Sequence, residues 1–143
     1  MKVASILRTK GGGVVTAPPD TPVMTIVDTL KKEGIGAIVI AAPGGNVTGI
    51  LSERDLVRAL ADYGARLMDM RADELMTRDV VTCTAGQHID EVMKLMTEGR
   101  FRHLPVMDGE ELIGVISIGD VVKNRLGELE AEARELKSYI ATG

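Results

Sequence analysis

Apolar residues recur along this chain at two periods, and the switch between them lays out its elements. Val23, Ile26, Val27 and Leu30 fall at i, i+3, i+4 and i+7, one face of a helix. Thr21 reads as its N-cap, Pro22 as its first helical residue and Gly34 as its stop. Ile35 to Ala41 is an unbroken apolar run of strand length, Pro43-Gly44-Gly45-Asn46 a turn, and Val47 to Leu51 a second strand. Ser52 then opens a helix to about Ala61. Ahead of these, Val3 to Leu7 reads as a short helix or turn and Lys10-Gly11-Gly12-Gly13 as a loop. Val14-Val15-Thr16 is a short strand piece, broken by Ala17-Pro18-Pro19-Asp20.

The same pattern returns. A shift of 66 positions carries Val14-Val15-Thr16 onto Val80-Val81-Thr82 and the helix face onto Ile89, Val92, Met93 and Met96. It also carries Ile35 onto Phe101 and Ile40 onto Val106. The turn Asp108-Gly109-Glu110 is one residue shorter, after which a shift of 65 carries Gly49, Ser52 and Asp55 onto Gly114, Ser117 and Asp120. Two copies at this period predict a pseudo-twofold domain rather than a solenoid. Each unit reads strand–helix–strand–strand–helix, a mixed α/β fold. The expected divisions are residues 1–65 for the first repeat, 66–79 for a partly helical linker, 80–126 for the second repeat and 127–143 for a helical extension.

That last helix, from Asp120 toward Ile140, would be ~30 Å long. Val122, Leu126, Leu129, Ala133, Leu136 and Ile140 repeat at alternating spacings of four and three, a heptad seam among charged residues. Its second half lies beyond the repeat, so the expected partner is another subunit.

Composition narrows the function classes. The net charge of −4 argues against non-specific binding to nucleic acid or an anionic membrane. Cys83 is the only cysteine, which excludes an intrachain disulfide and a cysteine-based zinc cage. The apolar run after Lys2 is too short for a signal peptide's core, and no apolar run approaches the length of a membrane span. The expected compartment is the cytoplasm.

The paired stretches Gly49-Ile50-Leu51-Ser52-Glu53-Arg54-Asp55-Leu56-Val57 and Gly114-Val115-Ile116-Ser117-Ile118-Gly119-Asp120-Val121-Val122, with Phe101-Arg102-His103-Leu104-Pro105-Val106, carry a family likeness. The duplicated unit resembles a tandem pair of CBS domains, a Bateman module, over roughly residues 3 to 126. The tail from Glu128 to Ile140 is similar to that of small stand-alone bacterial CBS-pair proteins. The resemblance implies two β-α-β-β-α repeats packed sheet against sheet with clefts between them, and homodimers. It implies an adenosine-containing ligand, AMP foremost, with ATP, ADP, NAD(H) or S-adenosylmethionine as alternatives.

The resemblance also implies site residues. In such modules the Gly-x-x-Ser-x-x-Asp element binds ribose and phosphate, here Gly114, Ser117 and Asp120 and, in the first repeat, Gly49, Ser52 and Asp55. The chemistry is reasonable: an ionised carboxylate accepts both ribose hydroxyls, and a helix start favours a phosphate. Gly114 would let a ligand approach the backbone. The same Ser-x-x-Asp spacing is also a capping box, which needs no ligand. Arg102 and His103 are the implied phosphate partners beside Asp120, with Arg54 serving the other cleft; His103 is alternatively a satisfied core histidine, the usual fate of a lone His in an apolar strand. Arg100 is either a further partner or a solvated surface charge. Thr16, Thr82 and Cys83 are implied to line the base pocket through backbone atoms. Ile35, Phe101, Ile50, Ile116 and Pro105 are candidates to pack on adenine or are plain core. Since the aligned strand of the first repeat offers only Gly34, Gly36 and Ala37, the Asp120 site is expected to be the stronger.

Three functions compete. A ligand-sensing regulatory module acting on an unidentified target accounts for the duplicated sites. A structural or interaction protein that dimerises without a physiological ligand is the alternative. An enzyme is disfavoured: there is no P-loop, no dinucleotide fingerprint, no metal-ligand cluster and no catalytic triad beyond what the repeat explains.

Overall fold

The structure, a computed structural model, describes residues 1–11 and 13–142, so Gly12 of the expected loop lies outside the described residues. Helix α1 (Val3–Lys10) leads into β1 (Thr16–Ala17), α2 (Val23–Glu33), β2 (Ala37–Ala41), β3 (Val47–Ser52) and α3 (Glu53–Tyr63). A 3₁₀ helix (Gly64–Asp69) follows the first repeat, and the short α4 (Ala72–Leu75) leads into the second as α1 leads into the first. The second repeat supplies α5 (Ile89–Gly99), β4 (His103–Asp108), β5 (Glu111–Ser117) and the long α6 (Ile118–Thr142).

The first repeat builds a three-stranded sheet in the order β1-β2-β3, with β1 parallel and β3 antiparallel to β2. Ala37, Ile38, Val39 and Ile40 are all buried, which explains why β2 reads as a continuous apolar run. β3 alternates instead and buries Gly49 and Leu51. Helix α2 buries Val23, Ile26 and Leu30 and ends at Gly34 in the left-handed region, its N–H donating to the Leu30 and Lys31 carbonyls. Its start differs from expectation. The N-cap is Pro22, and the Thr21 hydroxyl donates to the Pro18 carbonyl at 2.7 Å. The free amide of Val23 finds the linker's Met70 carbonyl at 2.8 Å, so no side-chain cap is required.

The second repeat pairs β4 with β5 in matching register: His103 faces Ser117 as Ala37 faces Ser52. The strand expected at Val80–Thr82 is not formed. It reduces to a bridge between Cys83 and Val106, because the chain reaches β4 only there, through Cys83 N–H to the Pro105 carbonyl at 3.0 Å.

The cores are crossed between repeats. Val3 and Ile6 of α1, at the start of the first repeat, pack with Leu104, Val106, Ile116 and Val121 of the second. Ala72 of α4 and Met76 after it, at the start of the second, pack with Ile26, Ile38, Ile40 and Leu51 of the first. Backbone bonds follow: Val3 N–H donates to Gln87 and Ala4 N–H to Ala85, both at 3.0 Å, while Ala72 N–H donates to Thr21 at 2.8 Å.

Two glycines permit this docking. A Cβ on Gly114 would strike the Leu7 side chain, and one on Gly49 would meet Met76 and stand 2.9 Å from the Thr77 carbonyl oxygen. Each motif glycine therefore admits a side chain from the segment that leads into the other repeat. Among the described residues no helix is long and apolar enough to cross a membrane.

Candidate functional site

Two clefts open between the repeats, of about 380 and 410 Å³. Both volumes fall in the range of roughly 300–1,000 Å³ usual for small-molecule sites. Each is built from both repeats. The Asp120 cleft takes Gly114, Ser117 and Asp120 from the second repeat, with Lys10, Val14, Val15 and Gly34 to Ala37 from the first. The Asp55 cleft takes Ser52, Arg54 and Asp55 from the first, with Thr77, Asp79 to Val81 and Gly99 to His103 from the second. Gly36 and His103 line both and face each other across the wall between them; a Cβ on Gly36 would stand 3.1 Å from His103 Nε2.

Local sequence sets each carboxylate in place. At the start of α3 the Ser52 N–H and hydroxyl donate to Asp55 Oδ2 at 2.9 and 3.0 Å, and the Asp55 N–H donates back to Ser52 Oγ at 3.3 Å. At the start of α6 the Ser117 N–H donates to Asp120 Oδ2 at 2.9 Å and the Asp120 N–H to Ser117 Oγ at 3.1 Å. Both are capping boxes, as the Ser-x-x-Asp spacing predicts. The bonds converge on Oδ2 and hold the carboxylate in one orientation, with accepting capacity left over.

The structure redistributes the cations. Arg100 and Arg102 line the Asp55 cleft with Arg54, and Arg102 is not beside Asp120 as expected. The reason is the crossing: the strand of one repeat faces the Ser-Asp element of the other. Phe101 also enters the Asp55 cleft. Thr16, Thr82, Ile116 and Pro105 line neither. Ile116 is fully buried in the second core and Pro105 is buried within β4, while the connector positions that reach the clefts are Val14, Val15, Val80 and Val81.

Sequence reasoning missed Lys10, whose Nζ donates to Asp120 Oδ2 at 2.8 Å and to the Val115 carbonyl at 2.9 Å. The two partners are 110 positions apart, and no local signal links them. It also missed Arg58, Thr77 and Asp79, which line the Asp55 cleft. Among the described residues no cluster of His, Cys, Asp or Glu could hold a metal ion.

Burial pushes the Asp120 carboxyl up, but the Lys10 ammonium and the Ser117 amide outweigh it and hold the pKa below its ordinary value. For His103, burial and then the nearby Lys10 charge lower the pKa from 6.5, with Arg102 adding to them and Glu53 and Asp120 opposing. As pH falls through about 6.5 the unfolded chain takes up this proton before the folded one. Stability from neutral His103 is therefore complete above that pH and lost below it, toward the lower folded value. Urea unfolding at pH about 8 and about 5.5 should show the decline, and His103→Ala should flatten it. An equal slope in the variant would assign the decline to other groups.

Comparison with known proteins gives this geometry a context. A CBS-domain-containing protein from Agrobacterium tumefaciens superposes with a TM-score of 0.84 at 44% identity, over 87% of this chain and 92% of that one. The CBS domain pair of protein MJ0100, solved with 5'-methylthioadenosine and S-adenosyl-L-methionine, gives a TM-score of 0.78 at 25% identity, covering 90% of this chain and 98% of that one. An Arabidopsis thaliana mitochondrial CBS domain-containing protein, CBSX3, is 30% identical over 99% of this chain and 72% of its own length. The CBS-domain family model matches residues 3–62 and again 72–127. With both repeats matched, the chain belongs to the CBS-domain family, as a tandem pair.

Proposed function

We propose that this protein is a regulatory module that senses an adenosine-containing ligand in its two inter-repeat clefts and passes occupancy to a partner protein. The observation that carries this reading is the crossing. A ligand on the carboxylate of one repeat must also touch the connector and strand of the other, so binding would bias how the repeats pack. Such coupling needs only that the ligand prefer one packing over another. The ligands bound to the MJ0100 pair support an adenosine derivative. Asp55 or Asp120 would accept the ribose hydroxyls; Arg54, Arg102 and His103 would meet phosphate, and Phe101 would offer a face to the base. AMP leads, with ADP, ATP, NAD(H) and S-adenosylmethionine behind it.

The assembly expected is a homodimer. Ile118, Val122, Leu126 and Leu129 of α6 and Val57 and Leu60 of α3 are exposed. A shallow groove runs along α6 past Ile118, Val122 and Leu126. Apolar rows of this kind mark interaction surfaces.

A second reading, a dimerising module without a physiological ligand, draws on Lys10, which already pairs with one of the two carboxylates. Titration calorimetry with AMP, ATP, NADH and S-adenosylmethionine, with sedimentation of the same samples, separates the two. Binding of at least one of them is the expected result. No heat at millimolar ligand from a stable dimer would favour the second reading.

A further inference from the structure

The two clefts are unequal in charge at positions the repeat makes equivalent. Gly34 and Ala37 line the Asp120 cleft and Gly36 lines both; of their counterparts, Arg100 and Arg102 line the Asp55 cleft, where Arg54 and Arg58 join them, and His103 lines both. Among the described residues none of these four arginines is in an ion pair, and the guanidinium of Arg54 donates only to the Arg100 carbonyl, at 3.3 Å. The acids that share their cleft are Glu53, Asp55 and Asp79. Among the described residues the one lysine or arginine lining the Asp120 cleft, Lys10, is already paired with Asp120 at 2.8 Å.

Arg100 carries a second observation. It caps α5 with φ 58° and ψ 36°, the left-handed conformation that Gly34 adopts at the end of α2 with φ 65° and ψ 37°. Among the described residues it is the one non-glycine at positive φ. A bulky side chain is disfavoured there and glycine is the relaxed choice. The chain bears that strain at a residue that lines a cleft, a pattern typical of functional sites.

We propose that the clefts divide adenosine ligands by charge: the Asp55 cleft takes the phosphate chain of an adenine nucleotide, and the Asp120 cleft takes an adenosine derivative without one. The inference rests on the adenosine-sensing reading above and adds which ligand class each cleft selects. Guanidinium groups suit a phosphate chain because each offers a planar fork to its oxygens. The Asp120 cleft, where among the described residues no arginine stands and Lys10 is neutralised by Asp120, offers a phosphate no such fork and favours an uncharged nucleoside.

Calorimetric titration of the full chain with ATP and, separately, with adenosine tests this. Wild type should prefer ATP. Arg100→Gly and Arg102→Ala should each reduce that preference about tenfold, and the double variant about a hundredfold. Asp55→Asn should cost ATP more than adenosine, and Asp120→Asn the reverse. Arg100→Gly should also melt no lower than wild type, since glycine relieves the strained cap, so its loss of ATP could not be blamed on misfolding. An unchanged preference for ATP in the double variant, with both ligands still bound, overturns the division by charge alone. Failure of wild type to bind either ligand overturns the adenosine reading and this inference with it.

Discussion

Replacing Asp55 by Ala is expected to weaken a phosphate-bearing adenosine ligand by about 10²–10⁴-fold. The carboxylate would accept two ribose hydroxyls, and hydrogen bonds to a charged group contribute roughly 1.5–3 kcal/mol each. The same change removes a capping box, because Asp55 Oδ2 accepts from the Ser52 backbone and hydroxyl. Loss of such a cap costs about 0.5–2 kcal/mol of stability. Asp55→Asn separates the effects: its amide oxygen can still accept from Ser52 while the charge is gone, so affinity should fall with most of the stability kept. Titration of both variants beside their melting curves is the check. Unchanged affinity in a folded Asp55→Ala protein would remove this residue from the site. The ordering against Asp120→Ala is the reverse of what the aligned sequence suggests, since the arginines stand beside Asp55.

The second large effect is on folding. Ile6→Ala is expected to destabilise the protein by about 2–5 kcal/mol, the range for truncating a well-packed core side chain. Ile6 is 1% exposed and packs with Leu104, Ile116 and Val121. That loss is a large share of the roughly 5–15 kcal/mol that holds a domain folded. Its place matters as much as its size. Hydrogen exchange should lose protection first in α5, β4 and β5, although the substitution lies at the head of the first repeat. Faster exchange confined to α2, β2 and β3 would contradict the crossed cores.

Periodicity exposed what local chemistry determines. The α2 face, its Gly34 stop, the Ser52 cap of α3 and the turn before β3 are each fixed by residues within a few positions of one another. The duplication was legible for the same reason. At Thr21 the reading failed because the cap was supplied from the linker, by Met70, and at Val80–Thr82 because a short apolar run does not determine whether a strand forms. The site was half legible. Ser52, Asp55, Ser117 and Asp120 announce themselves by spacing, but which strand faces which carboxylate is a property of how the repeats dock. Alignment placed Arg102 with Asp120 because both belong to one repeat. The fold pairs it with Asp55 because strands and helix starts meet across the interface. Lys10 left no trace at all: a lysine at the end of a helix is ordinary, and its partner lies in the other repeat.

The crossed cores also bear on how the chain must be made. A ribosome releases α1 long before β4, β5 and α6, and Lys10 waits 110 positions for Asp120. Until then Val3 and Ile6 have no core to enter, and the first repeat is itself unfinished until α4 follows. Neither half can complete its interior alone. Folding should therefore be a late, concerted event, and a nascent chain halted after Tyr63 should expose apolar surface to chaperones instead of presenting a finished repeat.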